Sequence, residues 1–186
     1  MMIDAENIQK MHQEFYNFWI SNRLPNGRVM DESIQPRELK SLLPNIVKIR
    51  NTPVGPKYTI IGTQVVEEYR QDYTGFLVSE HPHELCRKTY ISMMQKMDTQ
   101  PSLVNCYGYF CYPDKAYLRT METGFALSSP DGNVSGYLVL VTVDHTYYSE
   151  AMYLPKDPAN VIAHEVCIQN QHDFDRTMSL YKTLSA

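Results

Sequence analysis

A chain of 186 residues has room for one domain with a full core plus extensions, and is short for two. Its 43% hydrophobic and 20% charged residues are those of an ordinary globular protein, which excludes wholesale disorder. The net charge is -4 and the basic residues are scattered, which argues against a nucleic-acid partner, where a clustered basic face is expected. Asp4 and Glu6 stand near the start, no small-residue cleavage site follows, and no apolar run reaches the length of a membrane span. The expectation is a cytoplasmic protein without a span of its own. Cys86, Cys106, Cys111 and Cys167 form no C-x-x-C pair and read as buried free thiols in a reducing compartment.

The pattern from Asp4 to Ile20 predicts an amphipathic helix, with Asp4 as N-cap and Ile8, Met11, Phe15, Phe18 and Trp19 on one stripe. An aromatic stripe of this kind either docks on the domain's own sheet or, through Phe15, Phe18 and Trp19, forms a dimer interface. Leu24-Pro25-Asn26-Gly27 reads as a turn, and Pro36 as the first position of a short helix with Leu39, Leu42 and Leu43 on its apolar face. Asn45 to Ile49 and Tyr58 to Thr63 predict two short strands of a hairpin across Asn51 to Pro56. Thr63 is the expected N-cap of a helix carrying Val65, Val66 and Tyr69, closed by the turn Asp72-Tyr73-Thr74-Gly75.

A longer helix is predicted from His83 to Met97, with Leu85, Thr89, Met93 and Met97 at near-helical spacing. Three strands follow: Leu103 to Tyr112, Tyr117 to Ser128 and Ser135 to Val143, the last two joined at Asp131-Gly132. In the tail, Val161 to Gln169 and Phe174 to Leu184 are predicted as short helices. This order implies an α+β architecture, a five-stranded antiparallel sheet with helices on one face. The expected organisation is an N-terminal helix over 1–21, a domain over 22–146 and a C-terminal helical extension over 147–186.

Several stretches resemble the PAS superfamily, and within it a bacterial PAS-like group formerly described as a domain of unknown function. They are Leu24-Pro25, Ile34-x-Pro36-x-x-Leu39, Leu42-Leu43-Pro44-Asn45-Ile46, Tyr58-x-x-x-Gly62-Thr63 and Asp72-Tyr73-Thr74-Gly75. Val143-Asp144-His145-Thr146 is similar to the Asp-x-Thr exit of many PAS domains. The resemblance implies a sensory or adaptor module in signal transduction. In it a cavity between sheet and helices takes a small molecule, and Asp144 and Thr146 couple the last strand to the tail.

No constellation for catalysis stands out, so the expectation is a protein that is not an enzyme, with a cofactor-binding sensor (haem or other) or a small α+β cavity enzyme as the alternatives. His81-Pro82-His83-Glu84 suits helix capping and surface polarity better than metal ligation, and Gly62-Thr63 lacks the rest of a phosphate loop. Asn105-Cys106-Tyr107-Gly108 begins like a flavin-attachment motif and diverges on a predicted strand, while His83 is the one candidate for haem. The cofactor stays open. The residues expected to line a pocket are Tyr58, Ile60, Tyr69, Tyr73, Met93, Tyr107, Tyr109, Arg119 and Met121. Alternation places Tyr107 and Tyr109 on one face of their strand, and Arg119 and Met121 on one face of the next, without saying which face is inside. The partners expected are a second copy, an unidentified signalling protein and a small ligand.

Overall fold

The computed structural model describes residues 5–112, 115–144 and 164–183. Helix α1 spans Ala5–Asn22, and the two-residue strand β1 is Val29–Met30. After three short 3-10 segments come strands β2 (Ile46–Thr52) and β3 (Gly55–Ile61), helix α2 (Thr63–Tyr69) and helix α3 (Glu84–Thr99). Strands β4 (Leu103–Tyr112), β5 (Lys115–Ser128) and β6 (Val134–Asp144) follow, then β7 (His164–Ile168) and helix α4 (Gln171–Thr183).

The class is α+β. One sheet runs β3-β2-β6-β5-β4-β7, antiparallel throughout that path, while β1 lies parallel to the end of β5 at Leu127 and Ser128. The five expected strands form its centre, and β1 and β7 widen it to seven. Such an arrangement is compatible with a PAS-like fold. Of Val161 to Gln169, expected as a helix, residues 161–163 lie outside the described residues and His164–Ile168 is instead β7, which pairs with β4 from Leu103↔Ile168 to Tyr107↔His164. The free backbone edge of β4 gives that short apolar run a full ladder of hydrogen bonds, which outweighs a weak helical spacing.

Side chains alternate along the strands and divide the interior into two cores. On one face α1, α4 and Leu39 and Leu42 pack against Leu103, Tyr107, Met121, Phe125, Leu127, Leu138, Leu140 and Ile168. On the other, α2 and α3 cover Val47, Ile49, Tyr58, Val104, Cys106, Ala126, Tyr137, Val139 and Val141. Helices thus lie on both faces, those of the expected extensions on one side and those of the central segment on the other.

The aromatic stripe of α1 is turned into its own chain. Phe15 and Trp19 are fully buried and Phe18 nearly so, with Phe15 stacked on Phe125 at 5.1 Å. The three side chains assigned to a dimer interface are therefore core residues here, because the sheet offers an apolar face that only this helix and α4 can cover. Trp19 also donates its indole N–H to the Gly27 carbonyl at 2.8 Å, holding the Leu24–Gly27 turn. Gly27 sits at φ +76° with Pro101 backbone 2.4 Å from where a Cβ would stand, so no other residue fits.

Two local expectations shift. The N-cap of α2 is Gly62 and not Thr63, since Pro44 backbone lies 2.3 Å from a Cβ at Gly62. Leu43, expected on an apolar face, is 38% exposed because Pro36–Leu39 and Leu43–Asn45 are separate 3-10 turns.

Candidate functional site

Under α2 and α3 lies a cluster of aromatic side chains with polar tips. Tyr58 enters it from β3, opposite Ile49 of β2. Tyr69 comes from the last turn of α2, which Arg70 closes in the left-handed region at φ 55°. The next turn is held by the Asp72 carboxylate, which accepts the Thr74 N–H at 2.8 Å, and is stitched to β3 by Gly75 N–H to Tyr58 carbonyl at 2.8 Å and Tyr58 N–H to Phe76 carbonyl at 3.0 Å. That stitching delivers Tyr73 inward.

His81 is buried, contrary to the surface role expected for it. Its Nδ1 accepts the His83 N–H at 3.2 Å and its carbonyl accepts an Arg87 guanidinium N–H at 2.6 Å. Ring centroids of Tyr73 and His81 lie 4.4 Å apart, Tyr58 and Tyr90 5.8 Å, and Tyr58 and His81 6.1 Å. Burial holds the His81 imidazole neutral, its pKa brought down to about 4. Tyr58, Tyr69, Tyr73, His81 and Tyr90, with Val47, Ile61 and Val65, enclose a void of about 10 Å³, room for one water.

Behind the rings stands Glu122 of β5, 1% exposed. Burial pushes its carboxyl up to about 8, against a smaller opposing pull from the Tyr69 hydroxyl. Among the described residues neither Glu122 oxygen has a hydrogen-bond partner of normal geometry, nor do the Tyr58 hydroxyl and the Thr120 hydroxyl. Glu122 also raises the pKa of Tyr58, Cys86 and Cys106, which places each of the three within its electrostatic reach. Cys106 is its direct cross-strand neighbour on β4. The two buried thiols are raised well above their ordinary range, chiefly by burial, and are inert as nucleophiles at neutral pH.

Of the nine expected pocket residues, Tyr58, Tyr69, Tyr73 and Met93 meet in this core. Tyr107 and Met121 do not; they belong to the opposite core beneath α1 and α4. Ile60 is 50% exposed on the edge strand. Tyr109 and Arg119 are register partners on β4 and β5, with side chains outside the described set. The reason is the period of two: on β5 the face turned to α3 carries Thr120, Glu122, Gly124 and Ala126, the residues between those chosen. No local signal marked that face, because a carboxylate in an alternating strand reads as solvent-facing.

At the end of β6 the buried Asp144 carboxylate accepts the Tyr181 hydroxyl of α4 at 3.1 Å. Thr146 lies outside the described residues. Across the sheet a polar chain crosses the other core. Asn105 Nδ2 donates to Thr123 Oγ1 at 2.6 Å, the His12 ring spans Thr123 Oγ1 at 2.6 Å and Thr142 Oγ1 at 2.9 Å, and Thr142 donates to the Met121 carbonyl at 3.3 Å. One direction satisfies every link if His12 carries its proton on Nε2. Burial lowers the His12 pKa to about 3.

Among the described residues no group of three or more His, Cys, Asp and Glu could hold a metal ion, and no helix is long and apolar enough to cross a membrane. His83, the haem candidate, is half-buried at the start of α3.

Fold and site together define an α+β chain with a small aromatic-lined void between sheet and helices and a buried carboxyl, Glu122, in the same core. No family model matches it, and no curated protein matches it. Solved structures that the chain matches in part include VqmA bound to DPO, with a TM-score of 0.44 and 15% identity over 57% of this chain and 56% of that one. They also include a Vibrio cholerae VqmA–ligand–DNA complex, with a TM-score of 0.44 and 13% identity over 60% of this chain and 52% of that one. The chain spans little more than half the length of these proteins.

Proposed function

We propose that this chain is a non-catalytic, PAS-like sensory module that binds a small molecule between β5 and the α2–α3 wall. One observation carries the reading. Glu122, Tyr58 and Thr120 bring polar atoms without a hydrogen bond of normal geometry to the same face of the sheet, inside a core, with the Tyr69 hydroxyl, among the described residues, as the only polar group pulling on Glu122. A buried polar group without a partner costs about 1–3 kcal/mol, so three on one face call for an occupant that supplies their hydrogen bonds.

Occupancy acts by favouring one of two packings of α2 and α3 on the sheet, and only to the extent that the ligand binds the two with different affinity. The Asp144–Tyr181 bond then carries a change in β6 to α4, and from there to a partner protein or a second copy of the chain. A dimer of this kind uses surfaces other than the buried Phe15, Phe18 and Trp19. The sequence argument against a nucleic-acid partner rests on charge alone, and a low-salt shift assay with duplex DNA decides it.

Native mass spectrometry of freshly purified protein, with a thermal-shift screen of small polar compounds, tests this binding seat. The expected result is at least one compound that is retained or raises Tm in the wild type and does neither in Glu122→Leu. Compounds acting equally on both proteins, or none acting on the wild type, overturn it.

A further inference from the structure

Given that seat, we infer that its occupant is a small organic cation, a primary amine whose ammonium group sits against Glu122 and between the tyrosine rings. The inference concerns only the ligand's chemistry and rests on the reading above for the location.

Four observations converge on it. Glu122 is acidic and almost fully buried, and the groups within its electrostatic reach are Tyr58 from β3, Tyr69 from α2, Cys86 from α3 and Cys106 from β4, none of them basic. Lys96 of α3, which acts on Cys106, is already paired with Glu165. His81, packed on the same rings, is held neutral. An anion would meet only acids and neutral groups, with nothing to balance its charge on leaving water. Tyr58, Tyr73 and Tyr90 bring electron-rich faces and edges around one void, the arrangement that recognises ammonium groups by cation–π attraction.

The ammonium group also matches the donor count. It offers three N–H donors, and acceptors stand on the two Glu122 oxygens and on the hydroxyl of Tyr58, which lines the void and is within electrostatic reach of Glu122. A neutral amide would leave one carboxyl oxygen poorly served and gain nothing from the rings. The void of about 10 Å³ suits a head group the size of a water, with any longer body pushing toward Tyr73 and His81 at the wall.

Charge and protons balance. Below about pH 8 the empty site holds Glu122 as the neutral acid. An incoming R–NH3+ meets it, the carboxyl O–H bond breaks, the proton leaves to solvent, and a carboxylate–ammonium pair remains. One cation enters and one proton departs, so the site stays neutral overall.

The test is calorimetry on the full chain with ethylamine hydrochloride, beside ethanol, acetamide and sodium acetate at equal concentration, with proton release followed by pH-stat in weak phosphate. Ethylamine is expected to bind and to release close to one proton per molecule bound at pH 7, with affinity rising about tenfold from pH 6 to pH 7 and levelling above about pH 8. Glu122→Gln is expected to lose at least tenfold in affinity and all of the proton release, while keeping the wild-type circular dichroism. Tyr58→Phe is expected to bind more weakly and still release the proton. Binding of ethanol or acetamide as tight as ethylamine, without proton release, overturns the cation and leaves the seat standing. No binding by ethylamine overturns the cation as well, and the seat falls with it only if the native-mass and thermal-shift experiments are also blank.

Discussion

Removing the Glu122 carboxyl gives a pH signature that the structure specifies in sign and size. In the unfolded chain this group loses its proton near 4.5, whereas the folded chain keeps it to about 8. Between those values the unfolded state binds fewer protons, so stability falls as pH rises, about tenfold in the folding constant per pH unit. His12 acts oppositely: its pKa drops from 6.5 to about 3, the unfolded state binds the extra proton, and stability rises with pH up to 6.5. His81, lowered to about 4, adds a smaller contribution of the same sign. Below about pH 6 the two histidines together outweigh Glu122 and stability rises with pH, and above pH 6.5 the Glu122 slope takes over.

The wild type should therefore be most stable near pH 6.5 and lose about 1 kcal/mol by pH 8, some 2–4 °C in Tm for a chain of this size. In Glu122→Gln the loss above pH 6.5 should vanish, leaving only the rise below it. Urea unfolding of both proteins at half-unit steps from pH 5 to pH 8.5, in the absence of added amines, measures this directly. A Glu122→Gln protein with the same decline above pH 6.5 as the wild type would refute the assignment of a buried, neutral carboxyl.

Three further outcomes are expected. Trp19→Ala removes a fully buried indole and its bond to Gly27, and should cost about 3–5 kcal/mol in urea unfolding while leaving the mass by light scattering unchanged; a change of mass with stability intact would return the stripe to an interface. Gly62→Ala drives a methyl toward Pro44 backbone at 2.3 Å and should destabilise by about 1–3 kcal/mol, visible as a lower urea midpoint. Tyr181→Phe deletes one donor to Asp144 and should cost about 1–2 kcal/mol, with amide exchange in α4 rising more than in α3.

Local pattern made part of this protein legible. The 3.6-residue stripe of α1 and the Thr89, Met93 and Met97 spacing of α3 announce helices, because one face of each must leave water. Alternation and the Asp131-Gly132 turn announce the β4–β5–β6 strands, since a period of two suits only a pleated chain. Tyr58, Tyr69 and Tyr73 could be named from the same reading. What could not be read is which way each alternating strand faces. Tyr107 and Met121 are as apolar as Cys106 and Ala126, and only the docking of α1 on one side and α3 on the other sends the two pairs into different cores. β7 was hidden for a related reason: a five-residue strand is weak by itself and forms because β4 has an edge to offer. Glu122 shows the difference most sharply, since a carboxylate in a strand reads as solvent-facing until two helices close over it. Spacing along the chain determined the elements, while long-range packing alone decided which side chains lost their water, and that loss is what gives Glu122 its proton and the seat its chemistry.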